Sequence, residues 1–274
     1  LPAMSRRQRQ MCIRDSWGLR LEICQHFDQY ANVRPSRLLP GIQSPLKNIG
    51  PAELDWVIVR ENTEGEYSGA GGRVHPKLPQ EVGIDVSVFT RDGIERVMRY
   101  AFELALTRPK KQLTLVTKSN AQRHGMVLWD EVFEKLKHDY PGITTDRMLV
   151  DAITTRMVLQ PQSLDTIVAT NLHADILSDL AAALSGSLGI GPTANINPER
   201  TFPSMFEPIH GSAFDLVGKD LANPLGAFWS CVMMLEHLQE KKGASLLMSA
   251  IEEVCQEGRH LPIDPVSYTH LRAH

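Results

Sequence analysis

The sequence predicts an α/β fold from two patterns that alternate along it. Short apolar runs are typical of buried strands, and the stretches between them repeat their apolar residues with a helical period. Strands that alternate with helices pair largely in parallel and place helices against the sheet. We therefore expect an α/β protein with substantial parallel pairing.

Four apolar runs are the clearest predicted strands. They lie at residues 56–59, 113–117, 143–150 and 164–170. Polar or charged residues follow each run directly, and a strand that ends in a loop and opens a helix is a common site geometry in this fold class. The ends of these strands are therefore the first places to look for chemistry.

Two helices are predicted between these strands. Thr90 can cap the first helix, and Pro109 lies just past its end, where a helix would stop. Its apolar residues follow the 3.6-residue period and are Ile94, Val97, Met98, Ala101, Phe102 and Ala105. The second helix presents Trp129, Val132, Phe133 and Leu136.

Composition describes a globular protein and excludes several functions. The 274 residues carry a formal charge of −3 and are 42% hydrophobic. The chain therefore lacks the excess of basic residues that is typical of nucleic-acid-binding proteins. No apolar run approaches the length of a membrane span, and the N-terminus lacks the apolar core of a signal peptide. The cysteines lack metal spacing and are expected to be reduced thiols of a cytoplasmic protein; they are Cys12, Cys24, Cys231 and Cys255.

Asp175 and Asp179 follow the last predicted strand and stand four residues apart. On a helix, both carboxylates would project from one face, one turn apart. Carboxylate oxygens at this spacing suit a hard divalent cation such as Mg²⁺ or Mn²⁺. The alternative is structural, because acidic residues near a helix start also favour the helix dipole.

Further motifs stand in order around this pair. Residues 60–67 read Arg-Glu-Asn-Thr-Glu-Gly-Glu-Tyr, Lys118-Ser119-Asn120 follows a strand, and Glu207-Pro208-Ile209-His210-Gly211-Ser212-Ala213 lies downstream. In this order they resemble the β-decarboxylating hydroxyacid dehydrogenases, which include isopropylmalate, isocitrate, tartrate and D-malate dehydrogenases. Residues 27–35 and 64–67 are most similar to the tartrate and D-malate branch. The resemblance covers roughly residues 17–261.

The resemblance implies an isopropylmalate-dehydrogenase-like two-domain fold. Residues 17–29 and 186–264 would be the remaining parts of a discontinuous cofactor domain. The inserted substrate and dimerisation domain would span residues 30–185. The Gly-rich stretch at 68–79 corresponds to an arm that clasps the partner subunit. Pro and Gly concentrate at 186–203, which is consistent with a crossing between domains and a cofactor-facing loop.

Both ends depart from the family pattern. Residues 1–16 and 265–274 are interpreted as non-family extensions that resemble translated cloning sequence, and they are excluded from fold reasoning. The alternative for the first is a genuine basic N-terminal arm. The opening βαβ segment and the closing strand and helix of the family are missing, so we expect a fragment that is itself inactive.

The resemblance also implies the catalytic and metal-binding residues. Asp151, Asp175 and Asp179 match the three metal carboxylates of the family, and Lys118 and Tyr67 match its catalytic lysine and tyrosine. A complete site would need two chains, because the family places Lys118 and Asp151 across the dimer interface from the other three. Each residue has a structural alternative: a helix N-cap for Asp151, solvated surface for Lys118 and a packed aromatic for Tyr67.

Arginines are expected to bind the carboxylates of the substrate, because the planar guanidinium suits bidentate binding. Arg34 and Arg60 match arginines of the family. A third arginine is usual ten residues before Arg34, where this chain has Cys24, and Arg20 is expected to substitute from one helical turn earlier. His173 stands where the family commonly has Phe, and a loop or core histidine is the preferred interpretation over a contact beside the metal.

The cofactor is expected to be NAD, although the GxGxxG motif is absent. The loop His210-Gly211-Ser212-Ala213 resembles the adenosine-binding loop of the family, and small residues allow a close approach of the backbone. Asp215 would accept hydrogen bonds from the ribose hydroxyls and repel a 2′-phosphate, which favours NAD⁺ over NADP⁺. Asn223 matches an adenine contact or forms a turn before Pro224, and Asn120 is a further expected contact.

The combined hypothesis is an oxidoreductase that is NAD- and divalent-metal-dependent (Mg²⁺ or Mn²⁺) and acts on the CH–OH group of a 2-hydroxy dicarboxylic acid, tartrate or D-malate, with or without β-decarboxylation. A homodimer with shared sites is expected, without nucleic-acid or membrane partners. Two alternatives remain open. One is an isopropylmalate or homoisocitrate dehydrogenase, and the other is a catalytically dead metal-binding fragment that acts through a partner.

Overall fold

A computed structural model describes residues 16–211, 217–219 and 222–258. The strands are β1 (Ala31–Arg37), β2 (Asp55–Glu61), β3 (Gly65–Val74), β4 (Val82–Val88), β5 (Gln112–Thr117), β6 (Thr144–Leu149), β7 (Thr166–Ala169), β8 (Pro192–Ile196) and β9 (Met205–Pro208). The α-helices are α1 (Leu21–His26), α2 (Arg91–Thr107), α3 (Gly125–Leu136), α4 (Val150–Leu159), α5 (Asn171–Leu184), α6 (Leu225–His237) and α7 (Lys241–Glu257). A π-helical turn at Ser16–Arg20 leads into α1.

Seven strands form one mixed sheet in the order β6-β5-β7-β2-β1-β8-β9. The half from β6 to β2 is parallel, whereas β1, β8 and β9 each run antiparallel to their neighbours. The predicted α/β class and its substantial parallel pairing are therefore confirmed, and the four predicted strands are present as β2, β5, β6 and β7. The antiparallel half was not predicted.

Helices cover both faces of the parallel half, and the apolar residues of the strands divide between them. Val59 and Val168 face α2 and α3, whereas their neighbours Ile58 and Ile167 face α4 and α5. This alternation follows from the two-residue period of a strand and produces one core on each face. The strands therefore read as continuous apolar runs, because both of their faces are buried.

The predicted helix α2 has the expected boundaries. The hydroxyl of Thr90 accepts a hydrogen bond from the backbone N–H of Gly93 at 3.0 Å, as an N-cap does. The helix ends at Thr107, two residues before Pro109. All six of its predicted core residues are buried, as are the four predicted in α3.

Two parts lie outside the parallel half of the sheet and the helices that cover it. Helices α6 and α7 pack on each other around Trp229 and Ile251, in a separate core beside residues 38–42. Strands β3 and β4 form a two-stranded hairpin, and β4 exposes every residue along its length. Residues of both predicted domains contribute to the large sheet, and the domain division remains a prediction.

Among the described residues, every helix is too short or too polar to span a bilayer. The described cysteines, Cys24, Cys231 and Cys255, are free thiols, as expected.

Candidate active site

The parallel half of the sheet directs four segments with polar side chains to one edge. Arg60 lies near the end of β2, Lys118 directly follows β5, Asp151 is the second residue after β6, and Asn171 opens α5 behind β7. Carboxyl ends of parallel strands meet at the same edge, and this is where α/β proteins commonly bind their ligands. Three predicted site residues, Arg60, Lys118 and Asp151, therefore lie with Asn171 at one rim of the sheet.

Asp175 is the centre of the first cluster on this rim. Its Oδ1 accepts hydrogen bonds from Nη1 of Arg60 and, at 3.1 Å, from Nη1 of Arg34. Its Oδ2 accepts a hydrogen bond from the hydroxyl of Tyr67 at 3.1 Å. Arg34 also donates to the hydroxyl of Ser178 at 2.6 Å, one turn further along α5. Three strands and one helix thus bring four of the predicted site residues together, and a fifth, Asp179, lies one turn after Asp175 on α5.

The electrostatics of this cluster keep Asp175 ionised. Burial alone would raise the pKa of Asp175, but the charges of Arg60, Arg34 and Arg20 and the hydrogen bond from Tyr67 lower it well below its usual range. Burial and the neighbouring Arg60 lower the pKa of Arg34 to about 10, which still leaves the guanidinium charged at neutral pH. Burial, followed by the charge of Asp175, raises the pKa of Tyr67, so its hydroxyl retains its proton.

Arg60 holds a donor that the described residues do not satisfy. Its side chain is 0% exposed, Nε donates to Asn171 Oδ1 at 2.9 Å, and Nη1 donates to Asp175. Nη2 is buried without a hydrogen-bond partner. Buried charged donors are normally paired, since an unpaired one loses its hydration without compensation. This nitrogen is therefore a polar atom of Arg60 that remains without an acceptor among the described residues.

Arg20 joins the same cluster from the opposite side. Its Nη1 donates to Asn62 Oδ1 at 3.4 Å. Burial, followed by the nearby charge of Arg60, lowers the pKa of Arg20, and Asp175 lies close enough to oppose that shift. Cys24, which stands where the family has an arginine, is completely buried. Arg20 is thus placed as a third guanidinium near Arg34 and Arg60, which is the arrangement the prediction requires.

Lys118 and Asp151 form a second cluster. The ammonium of Lys118 pairs with the carboxylate of Asp151, whose side chain is 64% exposed. This ion pair lowers the pKa of Asp151. Within the described part of one chain, no three acidic, histidine or cysteine side chains lie close enough together to hold a metal ion. One chain alone therefore brings Asp175 and Asp179 onto one helix but leaves Asp151 apart from them.

The hydrogen bonds of Glu64 and Glu66 explain why these glutamates stand two residues apart just before Tyr67. Both carboxylate oxygens of Glu64 accept from Thr90, the cap of α2, at 3.0 and 2.8 Å. Glu66 binds the start of α5 in the same way, accepting from Leu172 N at 3.1 Å and from the Thr170 hydroxyl at 2.9 Å. The two glutamates tie Tyr67 to both helices.

Gly65, between those two glutamates, has φ = +81°, and a Cβ there would lie 3.2 Å from the ring of Phe89. Glycine is therefore required at the turn that delivers Tyr67 to the site.

The predicted cofactor-binding residues lie only partly within the described chain. Ser212, Ala213 and Asp215 fall outside the described residues. His210 and Gly211 lie at the end of the described segment that follows β9. The amide oxygen of Asn223 accepts a hydrogen bond from Leu225 N at 3.0 Å, which is the bond expected if Asn223 forms a turn before Pro224. Asn120 is exposed. Their roles toward a cofactor remain predictions.

Sequence reasoning missed several polar residues that position the predicted ones. Asn171 and Ser178 hold Arg60 and Arg34, and the buried residues Asn32 and Asn195 lie behind Arg34. Asn171 lies four residues before Asp175 and Ser178 three residues after it in the same helical motif, so their helical spacing from Asp175 was a usable signal. Asn195 gave no such signal, because it lies on a strand remote in sequence. His173 is buried, as the preferred interpretation expected, although its Nδ1 has no partner among the described residues.

Comparison with known proteins gives concordant results. A sequence profile described as isocitrate/isopropylmalate dehydrogenase matches residues 10–267. A probable tartrate dehydrogenase/decarboxylase of Agrobacterium vitis is 69% identical over 242 residues, which cover 88% of this chain and 68% of that protein. The D-malate dehydrogenase [decarboxylating] of Escherichia coli is 49% identical over 90% of this chain and 70% of its own length. The crystal structure of isocitrate dehydrogenase from Methylococcus capsulatus superposes with a TM-score of 0.82 at 39% identity, covering 89% of this chain and 70% of that one. The fold, the order of the motifs and these matches together establish that the chain belongs to the isocitrate/isopropylmalate dehydrogenase family.

Proposed function

We propose that this protein oxidises the hydroxyl group of a 2-hydroxy dicarboxylic acid, tartrate or D-malate, by hydride transfer to NAD⁺ and with metal assistance. Decarboxylation of the resulting keto acid would follow where the substrate permits it. The observation that carries the proposal is the buried, unpaired Nη2 of Arg60 beside Arg34 and Arg20. A carboxylate is the acceptor that best satisfies a guanidinium fork in a buried site.

The described residues fit binding of a dicarboxylate rather than a monocarboxylate. Arg34 is 5% exposed and Arg60 is 0% exposed, so both charges are largely removed from water. Asp175 neutralises one positive charge, and Arg20 adds another within electrostatic reach. Three guanidinium groups at one site offer separate donors to more than one ligand carboxylate.

The carboxylates also fit a divalent cation. Asp175 is held ionised, and Asp179 is partly exposed on the same face of α5, so both offer oxygen donors of the type that Mg²⁺ and Mn²⁺ prefer. We propose that Asp151 of a second copy completes this set. Once bound, such an ion would polarise the hydroxyl and the developing carbonyl of the substrate.

The protein residues supply binding and proton transfer. Arg34 and Arg60 orient the substrate by its carboxylates, and their rigid placement in β1 and β2 reduces the freedom lost on binding. Tyr67 keeps its proton at Oη and is suited to deliver it to the carbon from which CO₂ leaves. Lys118 is the proposed group that receives the proton of the hydroxyl.

A second copy of the chain is the proposed partner. The hairpin exposes one row of apolar residues on β4, formed by Val82, Ile84, Val86 and Val88, each 40–50% exposed. Such a row on an exposed strand is a typical surface for pairing between chains. The same hairpin includes residues 68–79, which correspond to the arm by which family members clasp their partner. A second copy would bring Lys118 and Asp151 toward Asp175.

NAD⁺ is the proposed acceptor of the hydride. A Cβ added at Gly211 would meet no atom of the described residues within 4 Å, which fits a close approach of a cofactor to this backbone. Asp215, in the adjoining part of the loop, provides the proposed selection against a 2′-phosphate.

The test is to assay the full-length natural protein with tartrate, D-malate, isopropylmalate and isocitrate, each with NAD⁺ and NADP⁺ and with or without Mn²⁺. Reduction of NAD⁺ with tartrate or D-malate, dependent on Mn²⁺, would support the proposal. Reduction only with isopropylmalate or isocitrate, or no reduction with any substrate, would overturn it.

A further inference from the structure

A buried row of asparagines lies behind the arginines of the site. Arg34 Nε donates to Asn32 Oδ1 at 2.8 Å, and Asn32 Nδ2 donates to Asn195 Oδ1 at 2.7 Å. On the other side, Arg20 donates to Asn62 Oδ1, and Asn62 Nδ2 donates to the same Asn195 oxygen at 3.0 Å. The three asparagines are all 0% exposed.

The direction of every hydrogen bond in this row is set by its charged ends. Asn195 Nδ2 donates to the carboxylate of Glu207 at 3.0 Å, so Oδ1 of Asn195 must face the other asparagines. Arg34 and Arg20 can only donate, so Asn32 and Asn62 must present their oxygens to the arginines and their NH₂ groups to Asn195. Both branches therefore run from a guanidinium through an asparagine to one amide and then to one carboxylate.

We infer that Asn195 is a positioning residue that fixes Arg34 and Arg20 relative to each other and thereby sets the affinity for dicarboxylates. This inference rests on the proposed function. A single amide oxygen accepts from both branches, so a change at position 195 affects both arginines. No alternative orientation of the amide satisfies Asn32, Asn62 and Glu207 together, and a buried network of this type holds a unique geometry.

The contact between Asn32 and Thr193 provides a matched control. Asn32 Nδ2 also donates to the hydroxyl of Thr193 at 2.9 Å, and Thr193 is 2% exposed on the same strand as Asn195. Thr193→Val removes that acceptor with little change of shape, while the bond to Asn195 remains. The variants Asn195→Ala and Thr193→Val thus differ in whether the link between the two arginines is broken.

The experiment measures binding of succinate, a dicarboxylate that cannot be oxidised at a hydroxyl, by calorimetry on the full-length natural protein. It also measures KM and kcat with D-malate. Asn195→Ala is expected to raise the Kd of succinate and the KM about tenfold or more, with a smaller effect on kcat, because ground-state binding is lost. Thr193→Val is expected to change both constants less than about threefold.

Two further variants separate positioning from a general loss of structure. In an Arg34→Lys background, Asn195→Ala should cost less succinate affinity than it does in the wild-type background, because one of the two arginines through which it acts is already changed. Asn195→Asp places two carboxylates together and should weaken binding, whereas adding Glu207→Gln supplies a donor again and should restore most of the affinity.

The outcomes are distinguishable. A wild-type protein that neither binds succinate nor oxidises hydroxy acids overturns the proposed function and this inference together. If the wild type binds succinate and Asn195→Ala binds it equally well, this inference alone is overturned. The same holds if Asn195→Ala weakens succinate binding as much in the Arg34→Lys background as in the wild-type background. If Asn195→Ala does not fold, the Asn195→Asp and Glu207→Gln pair decides, and absence of rescue counts against the inference.

Discussion

Arg60 and Tyr67 stack beside one shared carboxylate, with the guanidinium carbon of Arg60 5.4 Å from the centroid of the Tyr67 ring. Arg60 binds Oδ1 of Asp175 and Tyr67 binds Oδ2, so each oxygen of this carboxylate has a different partner. Burial and the charge of Asp175 raise the pKa of Tyr67, and the charge of Arg60 opposes them. A ligand carboxylate that competes with Asp175 for Arg60 therefore also changes the acceptor available to the Tyr67 hydroxyl.

Asp179→Asn is predicted to remove most of the activity of the full-length protein. The substitution deletes a ligand charge while keeping the shape of the side chain, and a loss on the order of a hundredfold or more in kcat/KM is expected. Titration with Mn²⁺ should show a weaker apparent affinity. Glu253→Gln, an exposed change on α7, serves as the control and should leave activity unchanged. Full wild-type activity after exhaustive chelation would contradict the metal role.

Lys118→Ala and Tyr67→Phe are predicted to be nearly inactive alone and to complement each other in mixed dimers. If Lys118 acts in a site completed by the Tyr67 of another copy, a mixed dimer has one site with both lesions and one with neither. Random assortment would then restore about a quarter of wild-type activity. Each variant taken separately through the same exchange procedure is the control. Absence of recovery despite demonstrated subunit exchange would refute the shared site.

Asp215→Asn is predicted to weaken NAD⁺ binding and to reduce the discrimination against NADP⁺. The carboxylate would supply hydrogen bonds to the ribose of NAD⁺ and would repel the 2′-phosphate of NADP⁺. Comparison of kcat/KM for both cofactors gives the measurement, with Lys219→Gln in the same region as a control that retains the acidic group. An intrinsic preference of the wild type for NADP⁺ would overturn the assignment.

Glu61 is predicted to make the free energy of unfolding depend on pH below neutrality. Burial raises the pKa of Glu61 from 4.5 to about 7, although hydrogen bonds from Thr63 and Glu64 oppose that shift. The folded state therefore binds the proton more tightly than the unfolded state does, so stability falls as pH rises from 4.5 to about 7 and changes no further above that. The total effect is up to about 3 kcal/mol.

Urea unfolding of wild type and Glu61→Gln across that pH range measures this effect. The difference in unfolding free energy between wild type and Glu61→Gln should change with pH between 4.5 and about 7. Glu257→Gln, an exposed change in α7, should show the same pH dependence as the wild type. Parallel curves for wild type and Glu61→Gln would show that Glu61 does not titrate in this window.

The sequence predicted those features that depend on neighbours along the chain. Thr90 and Pro109 bound α2 because capping and the absence of a proline N–H act within a few residues. Asp175 and Asp179 share a face of α5 because helical spacing is fixed locally. The parallel strands were predictable for the same reason, since each is a short apolar run that is buried on both faces.

Features that depend on pairing between distant segments were not predictable. The antiparallel β8 places Asn195 opposite Asn32, but nothing near Asn195 in sequence indicates this partner. The ion pair between Arg60 and Asp175 joins positions 115 residues apart, and family resemblance suggested both residues without suggesting their contact. Local structure follows from residues that are neighbours in sequence, whereas the register between strands is decided by the assembled core.

The in-register row across β8, β1 and β2 has a consequence for folding. Asn32 lies opposite Arg60 on one side and opposite Asn195 on the other, and Asn195 is 163 positions away along the chain. Contacts of such separation require closure of long loops and are acquired slowly. Arg34 and Arg60 therefore reach their native arrangement only when the central strands have docked. A dicarboxylate would bind this completed state and not partly folded chains, so it would stabilise the protein against global unfolding.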